Sequence, residues 1–201
     1  MQMSLGSIRQ WHWVSSALCL IGMFGFAITG ITLNHAADIT ITPTITTIEA
    51  KLPKRLLDDL KATAQDNPSA IPPRALSFWL AQTHDLKLST HAAAEWSTDE
   101  LYIVHAGPGK DTWLAVDFYS NELSYESTDR GWIAYFNDLH KGRDSGNAWG
   151  WFIDAFSVAS VIFCLTGLIL LYRQKNHRWM TWPVTVLGAI IPAILLMVFV
   201  H

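Results

Sequence analysis

The sequence is poor in charged residues and in cysteine. Only 15% of its 201 residues are charged, whereas 50% are hydrophobic, and it contains 2 cysteines. This composition is too apolar for an ordinary soluble domain, in which about a quarter of the residues are charged. Cys19 and Cys164 both lie inside long apolar runs, where a packing role is favoured over a disulfide.

Familiar enzyme signatures are missing as well. The chain has no glycine-rich phosphate loop, no HExxH zinc motif, no internal repeat and no low-complexity tract. No order of serine, histidine and aspartate supports a catalytic triad. The formal net charge of −3 argues against nucleic acid as a partner, because binding to phosphates favours a basic surface.

Three long apolar runs dominate what is present. The first holds twenty uncharged residues, from Val14 to Leu33. At about 1.5 Å per helical residue, such a run crosses a hydrocarbon core of about 30 Å. It is too long for the apolar core of a signal peptide, and no A-x-A-like site follows, so we expect it to be retained. The three runs predicted to span a membrane are Trp11–Leu33, Ala148–Leu171 and Trp182–Val200.

Basic residues set the predicted orientation. Arg9 precedes the first run, and the short loop between the second and third runs carries three more basic side chains, Arg173, Lys175 and Arg178. By the positive-inside rule these face the cytoplasm, so the acidic segment after the first run, and the C-terminus, lie on the far side. The predicted organisation is an N-terminus and first span (1–35), a far-side domain (36–147), a second span (148–172), a basic loop (173–181) and a third span (182–201).

The far-side domain is predicted to be a small α+β fold. Helical patterns cover Leu56–Gln65, Pro72–His84 and Gly131–Leu139. The threonine-rich segment after His35 favours an edge strand, and Gly107–Lys110 is a good hairpin turn. An antiparallel meander is expected from the β-rich runs Leu86–Thr90, Ala94–Ser97, Leu101–Ala106, Thr112–Phe118 and Glu122–Glu126.

Four histidines flank the predicted spans. His35 and His140 lie just outside the first and second spans on the far side, whereas His12 and His177 lie near the cytoplasmic ends. Haem iron in helical membrane proteins is commonly held by imidazoles from two helices. The alternatives are an interfacial role for His12, a helix-capping role for His35 and loop roles for His140 and His177.

Geometry limits how these histidines can be used. His12 and His35 are about 34 Å apart along an ideal helix, so they cannot serve the same haem. A line of mostly small residues between them leaves room either for close helix packing or for a flat cofactor. Asp154 is the single acid inside a span. It is either a hydrated interfacial carboxylate, or it orients an imidazole or pairs with Arg143.

Several motifs resemble one known family. They are His12-Trp13-Val14-Ser15, the TGITLNH sequence that ends the first span, the LHKGR sequence around His140, and the TGLILLYR sequence that ends the second span. Together they resemble the bacterial PepSY-associated transmembrane proteins in their short three-helix form. The segment GPGKDTWLAVDFYSNELSY is similar to part of a PepSY module, and the resemblance covers nearly the whole chain.

The resemblance implies a function. Members of the family include haem-carrying inner-membrane reductases that reduce ferric iron or ferric siderophores in the periplasm. One small form is a dimer that supports ferrous iron uptake. His12, His35 and His140 match family motifs and are expected to ligate haem b, with His35 and His140 as the ligands on the far side and His12 on the cytoplasmic side. His177 matches by location alone. The resemblance also places the 36–147 domain and the C-terminus in the periplasm.

The sequence therefore predicts a ferric reductase. Electrons would pass from an unidentified donor to ferric iron or a ferric chelate, and Asp138 and Asp144 would attract the hard cation. The alternative is a non-enzymatic protein in which the helices tether a periplasmic PepSY-type interaction module.

Overall fold

The computed structural model describes residues 6–66, 68–69, 71–88, 92–174 and 179–200. Three of its helices have the length and apolar composition needed to cross a membrane, which confirms the predicted spans. They are α1 (Ile8–Asn34), α5 (Gly146–Arg173) and α6 (Thr181–Phe199). Each begins or ends within a few residues of its apolar run. The remaining helices are α2 (Lys54–Asp66), α3 (Arg74–His84) and α4 (Gly131–Lys141).

The chain divides into two compact units. The helical unit comprises Met1–Gly25 and Trp151–His201, and the sheet unit comprises Phe26–Gly150. The last residues of α1 and the first residues of α5 therefore belong with the sheet unit. This boundary differs from the predicted 36–147 domain, because side chains near these two helix ends bond to α4.

The sheet unit contains a five-stranded antiparallel sheet in the order β1-β5-β4-β3-β2. Four consecutive strands form the predicted meander, and β1 joins the free edge of β5 as the predicted edge strand. The predicted strand Leu86–Thr90 is wrong for its described residues, because the Leu86 N–H caps α3 by bonding the Leu80 carbonyl. The strands are β1 (Thr44–Lys51), β2 (Ala93–Trp96), β3 (Glu100–Gly107), β4 (Lys110–Asp117) and β5 (Glu122–Asp129).

One hydrophobic cluster holds the sheet unit together. Alternate residues of the central strands point to the same side, as the two-residue period of a strand requires. They pack with the apolar faces of α2 and α3, so helices cover one side of the sheet. The most deeply buried members of this cluster are Leu60, Leu76, Leu80, Leu101, Ile103, Leu114, Val116 and Leu123.

The turn between β4 and β5 is closed by a carboxylate. The backbone N–H groups of Ser120 and Tyr119 each donate to Asp117 Oδ1 at 2.8 Å. These bonds favour the ionised form and lower the pKa of Asp117. The turn therefore depends on a side chain at the end of β4.

The β3–β4 hairpin turn is clamped onto α4. Gly109 has a φ of +66°, and a Cβ added there would lie 2.7 Å from the backbone nitrogen of Tyr135. The Gly109 carbonyl accepts from the Arg130 N–H at 2.8 Å, and its N–H donates to Asp138 Oδ2 at 2.9 Å. Only glycine meets both the backbone conformation and the close approach.

Replacing Gly109 with alanine is expected to destabilise the protein by about 2–5 kcal/mol, since a positive φ costs about 1–2 kcal/mol and overpacking about 1–3 kcal/mol. Gly146→Ala is the matched control, because Gly146 also has a positive φ of +77° but an added Cβ meets nothing within 4 Å. Thermal unfolding in detergent should give Gly109→Ala the lower midpoint. Equal midpoints for the two variants would contradict the clamp.

Candidate functional site

His12 is held by α5. Its Nδ1 lies 3.1 Å from the Thr166 hydroxyl oxygen. Its ring stacks on Phe163, with 4.9 Å between centroids and an interplanar angle of 11°. Its Cε1 rests against Gly167, where an added Cβ would lie 3.3 Å from it. A hydrogen bond and a stacked aromatic ring therefore fix the imidazole, and the glycine at position 167 leaves room for it.

His140 is held by α1 in a similar way. Its Nδ1 lies 2.6 Å from the Thr29 hydroxyl oxygen. Its ring packs against Phe26, with 4.8 Å between centroids and a tilt of 53°. Its Cε1 lies 3.8 Å from the position of a Cβ added at Gly30. His140 comes from the last turn of α4, so two helices build this site.

The two sites use the same sequence motif, F-x-x-T-G-x-x-L. It reads FAITGITL from Phe26 to Leu33 and FCLTGLIL from Phe163 to Leu170. Helical spacing puts its Phe, Thr and Gly on adjacent turns of one face, where one imidazole can meet all three. We name the two sets the Thr29 cradle (Phe26, Thr29, Gly30) and the Thr166 cradle (Phe163, Thr166, Gly167). The repeated TG-x-x-L was visible in the sequence, but the partner roles of the Phe and Thr were not predicted.

The end of α4 that carries His140 is anchored at four successive residues. The Thr32 hydroxyl donates to Asn137 Oδ1 at 2.6 Å, and Trp149 Nε1 donates to the Leu139 carbonyl at 2.8 Å. Asp138 and His140 bond other partners. Because residues 137 to 140 are bonded to α1, to the β3–β4 turn and to the start of α5, the position of the imidazole is fixed within the sheet unit.

Asp138 is the strongest of these anchors. It is only 2% exposed, yet its carboxylate meets three cations. Arg130 lies 3.0 Å from Oδ2, whereas Arg143 and Lys141 lie 3.3 and 3.6 Å from Oδ1. Buried charges are tolerated when they are paired in this manner. The arrangement favours a structural role for Asp138 over the predicted docking of ferric iron, because the carboxylate is already neutralised and shielded from solvent.

The bonds and ion pairs described for the other predicted site residues do not involve the cradles. His35 follows α1, is 57% exposed and bonds Asp38 at 3.1 Å, and its described contacts do not include His140. Asp144 is 37% exposed and pairs with Arg143. Asp154 is exposed on α5, while the ion pairs of Arg143 are to Asp138 and Asp144. His177 lies outside the described residues.

The small-residue line on α1 is a packing surface against α5. Ser15 and Cys19 are 4% and 1% exposed. A Cβ added at Gly22 would lie 2.3 Å from Cε2 of Phe156. The close approach of α1 and α5 is what brings His12 onto the Thr166 cradle, so the packing and the site depend on each other.

Gly22→Ala is therefore expected to disturb the Thr166 cradle, because Phe156 must move to admit the methyl group. Gly25→Ala is the control, since an added Cβ there meets nothing within 4 Å and both changes share the same helix-propensity gain. Thermal unfolding in detergent should give Gly22→Ala a midpoint below that of Gly25→Ala. A higher midpoint for Gly22→Ala would contradict the packing described for this pair of helices.

Comparison with known proteins gives one match. A family model described as PepSY_TM-like covers residues 3–201. No curated protein and no solved structure matches the chain. The matched region includes both cradles and the sheet, and it confirms the resemblance to PepSY-associated membrane proteins.

Proposed function

Because the chain belongs to the PepSY_TM-like family, we propose that it is a haem b membrane oxidoreductase that reduces ferric iron or a ferric chelate. In this proposal the protein lies in a bacterial inner membrane, with its N-terminus cytoplasmic and residues 36–147 and the C-terminus periplasmic. The ferrous product would then be available to a ferrous iron transporter.

The observation that carries the proposal is the pair of cradles. Each holds one imidazole by its Nδ1, and the described residues give the Nε2 of His12 and His140 no hydrogen-bond partner. A neutral imidazole bound through one nitrogen and open at the other is the usual axial ligand of haem iron. The donor set of each cradle therefore suits His12 and His140 as residues that would hold haem iron.

The described residues offer too few ligands for a metal ion without a porphyrin. In the part of the chain that the structure describes, no three His, Cys, Asp or Glu side chains come together as a metal site. A haem would need fewer ligands from the chain, so one imidazole from each cradle could begin a site. His35 or a residue from a second copy of the chain would supply the further ligand, which makes a homodimer part of the proposal.

Bound haem would supply a one-electron couple. The residues of the chain hold and tune it: the threonines orient the imidazoles, the phenylalanines fix the ring planes, and the apolar faces of α1 and α5 exclude water. Burial and axial ligation are the main means by which a protein sets a haem potential. Asp144, which is partly exposed, remains a candidate for attracting ferric iron, and the donor would be a quinol, a reduced flavin or another protein.

Anaerobic reoxidation tests this function. The purified full-length protein would be reduced with a stoichiometric amount of dithionite and mixed with ferric citrate, with a chromophoric ferrous chelator present. We expect the reduced haem bands to decay while ferrous iron forms in equal amount. Gallium citrate is the control, since Ga³⁺ matches Fe³⁺ in charge and size but is not reduced. Reduced bands that persist with ferric citrate would overturn the proposed activity.

A further inference from the structure

We propose that Thr29 and Thr166 are positioning residues that hold His140 and His12 in the tautomer that carries its hydrogen on Nδ1. The iron-binding consequence rests on the proposed function, but the tautomer does not. The inference starts from the hydroxyl hydrogen of each threonine, because a hydroxyl has one hydrogen to donate and two lone pairs that accept.

Thr166 gives the clearer case. Its hydroxyl donates within α5, to the Ile162 carbonyl at 2.7 Å or the Phe163 carbonyl at 3.0 Å. A threonine in an apolar helix usually makes this bond to the preceding turn. With its hydrogen so used, Oγ1 can only accept from His12 at 3.1 Å. Nδ1 of His12 must then carry a hydrogen, and in the neutral imidazole the lone pair is on Nε2.

Thr29 repeats the arrangement. Its hydroxyl lies 3.2 Å from the Phe26 carbonyl oxygen and 2.6 Å from Nδ1 of His140. If the hydroxyl donates to the helix carbonyl, as it does at Thr166, Oγ1 is again the acceptor for an N–H of the imidazole. The repeated F-x-x-T-G motif would then select the same tautomer at both cradles.

The tautomer decides whether the imidazole can bind iron. The lone pair on Nε2 is the ligand, and a hydrogen on that nitrogen would have to leave first. Partners that hold the other nitrogen of a ligating histidine typically change metal affinity by 10–100-fold when removed. The cradles would therefore prepare both imidazoles for iron before the cofactor arrives.

The test uses the haem-free full-length protein labelled with ¹⁵N-histidine, whose ring nitrogen shifts report the tautomer without any cofactor. Spectra of His12→Gln and His140→Gln assign the two signals. We expect a hydrogen on Nδ1 of both residues in the wild type. In Thr166→Val the His12 signal should change to Nε2–H or a mixture, in Thr29→Val the His140 signal should do so, and Thr→Ser at either position should restore the wild-type shifts.

Thr185→Val is the matched control. The Thr185 hydroxyl on α6 also donates to a carbonyl of the preceding turn, that of Thr181, at 2.8 Å. Its described contacts include no histidine. In haem titrations we expect each cradle Thr→Val variant to bind about 10–100-fold more weakly at its site, with Thr→Ser and Thr185→Val near the wild type.

The outcomes separate the two proposals. An Nε2–H tautomer in the wild type, or shifts unchanged by Thr→Val, would overturn the role of the threonines. The Nδ1–H tautomer in a protein that binds no haem would uphold that role and overturn the haem assignment. Bound haem whose affinity is unchanged by both Thr→Val variants would uphold the haem assignment and overturn the positioning role.

Discussion

Under the proposed function, replacing His140 with alanine is expected to remove the haem that the Thr29 cradle would hold and to leave the one that the Thr166 cradle would hold. The imidazole is the single described group there that can ligate iron, and it sits on a fully anchored turn of α4. The haem-to-protein ratio, measured by the pyridine haemochrome method, should fall clearly below that of the wild type. The double variant His12→Ala/His140→Ala should bind none.

Two single-site controls make this result specific. His105→Ala changes a histidine of β3 that belongs to the same unit as His140 and pairs with Thr112 of β4. It should leave the ratio unchanged. His35→Ala discriminates between two ways of completing the site. A loss as large as that of His140→Ala would assign His35 as the opposite ligand, whereas no loss would favour a ligand from a second copy. A wild-type haem content in His140→Ala would contradict the proposal that His140 ligates haem.

Replacing Asp138 is expected to have the second large effect, on the free energy of unfolding and on the position of His140. Removing its carboxylate in Asp138→Ala leaves the Gly109 N–H and three cations without their shared acceptor. Arg143 and Lys141 are about half exposed and can be rehydrated, so the loss is below that of a fully buried pair, at about 3 kcal/mol. The affected region is the end of α4, and His140 should lose its fixed position with it.

Hydrogen–deuterium exchange of the full chain in detergent measures this directly. In Asp138→Ala, the amides of α4 and of the β3–β4 turn should exchange faster, and haem content should fall although no ligand was changed. Asp144→Asn is the control, because asparagine tolerates the positive φ of 52° at this position and the change removes an ion pair with Arg143 at 3.5 Å. It is expected to change neither. Unchanged protection in Asp138→Ala would show that the ion cluster does not fix α4.

The sequence predicts the parts of this molecule that depend on local pattern. The three apolar runs, the edge strand β1, the meander and the hairpin at Gly109 follow from hydrophobicity, strand alternation and turn residues. The strand predicted over Leu86–Thr90 is wrong for its described residues, because the Leu86 N–H bonds the Leu80 carbonyl at the end of α3. Strand propensity does not show that a backbone N–H is already bonded to a neighbouring helix.

The candidate site was predicted in part. His12 and His140 were singled out by their places beside the spans, but pairing His140 with His35 relied on proximity to the same interface. The structure bonds His140 to Thr29, and this contact between positions 111 residues apart in sequence leaves no periodic signal. Asp138 was predicted to attract ferric iron, whereas the structure buries it and pairs it with Arg130, Lys141 and Arg143. Burial depends on how the chain packs, which the residue type at one position does not reveal.

The visible spectrum of the purified protein, expressed with ample haem supply and recorded before and after dithionite, tests the central claim most directly. Two histidine cradles of one design predict a Soret band that shifts on reduction and sharp α and β bands of low-spin haem b. A colourless protein under the same conditions would contradict the account, and the helices would then be read as a tether for the sheet unit.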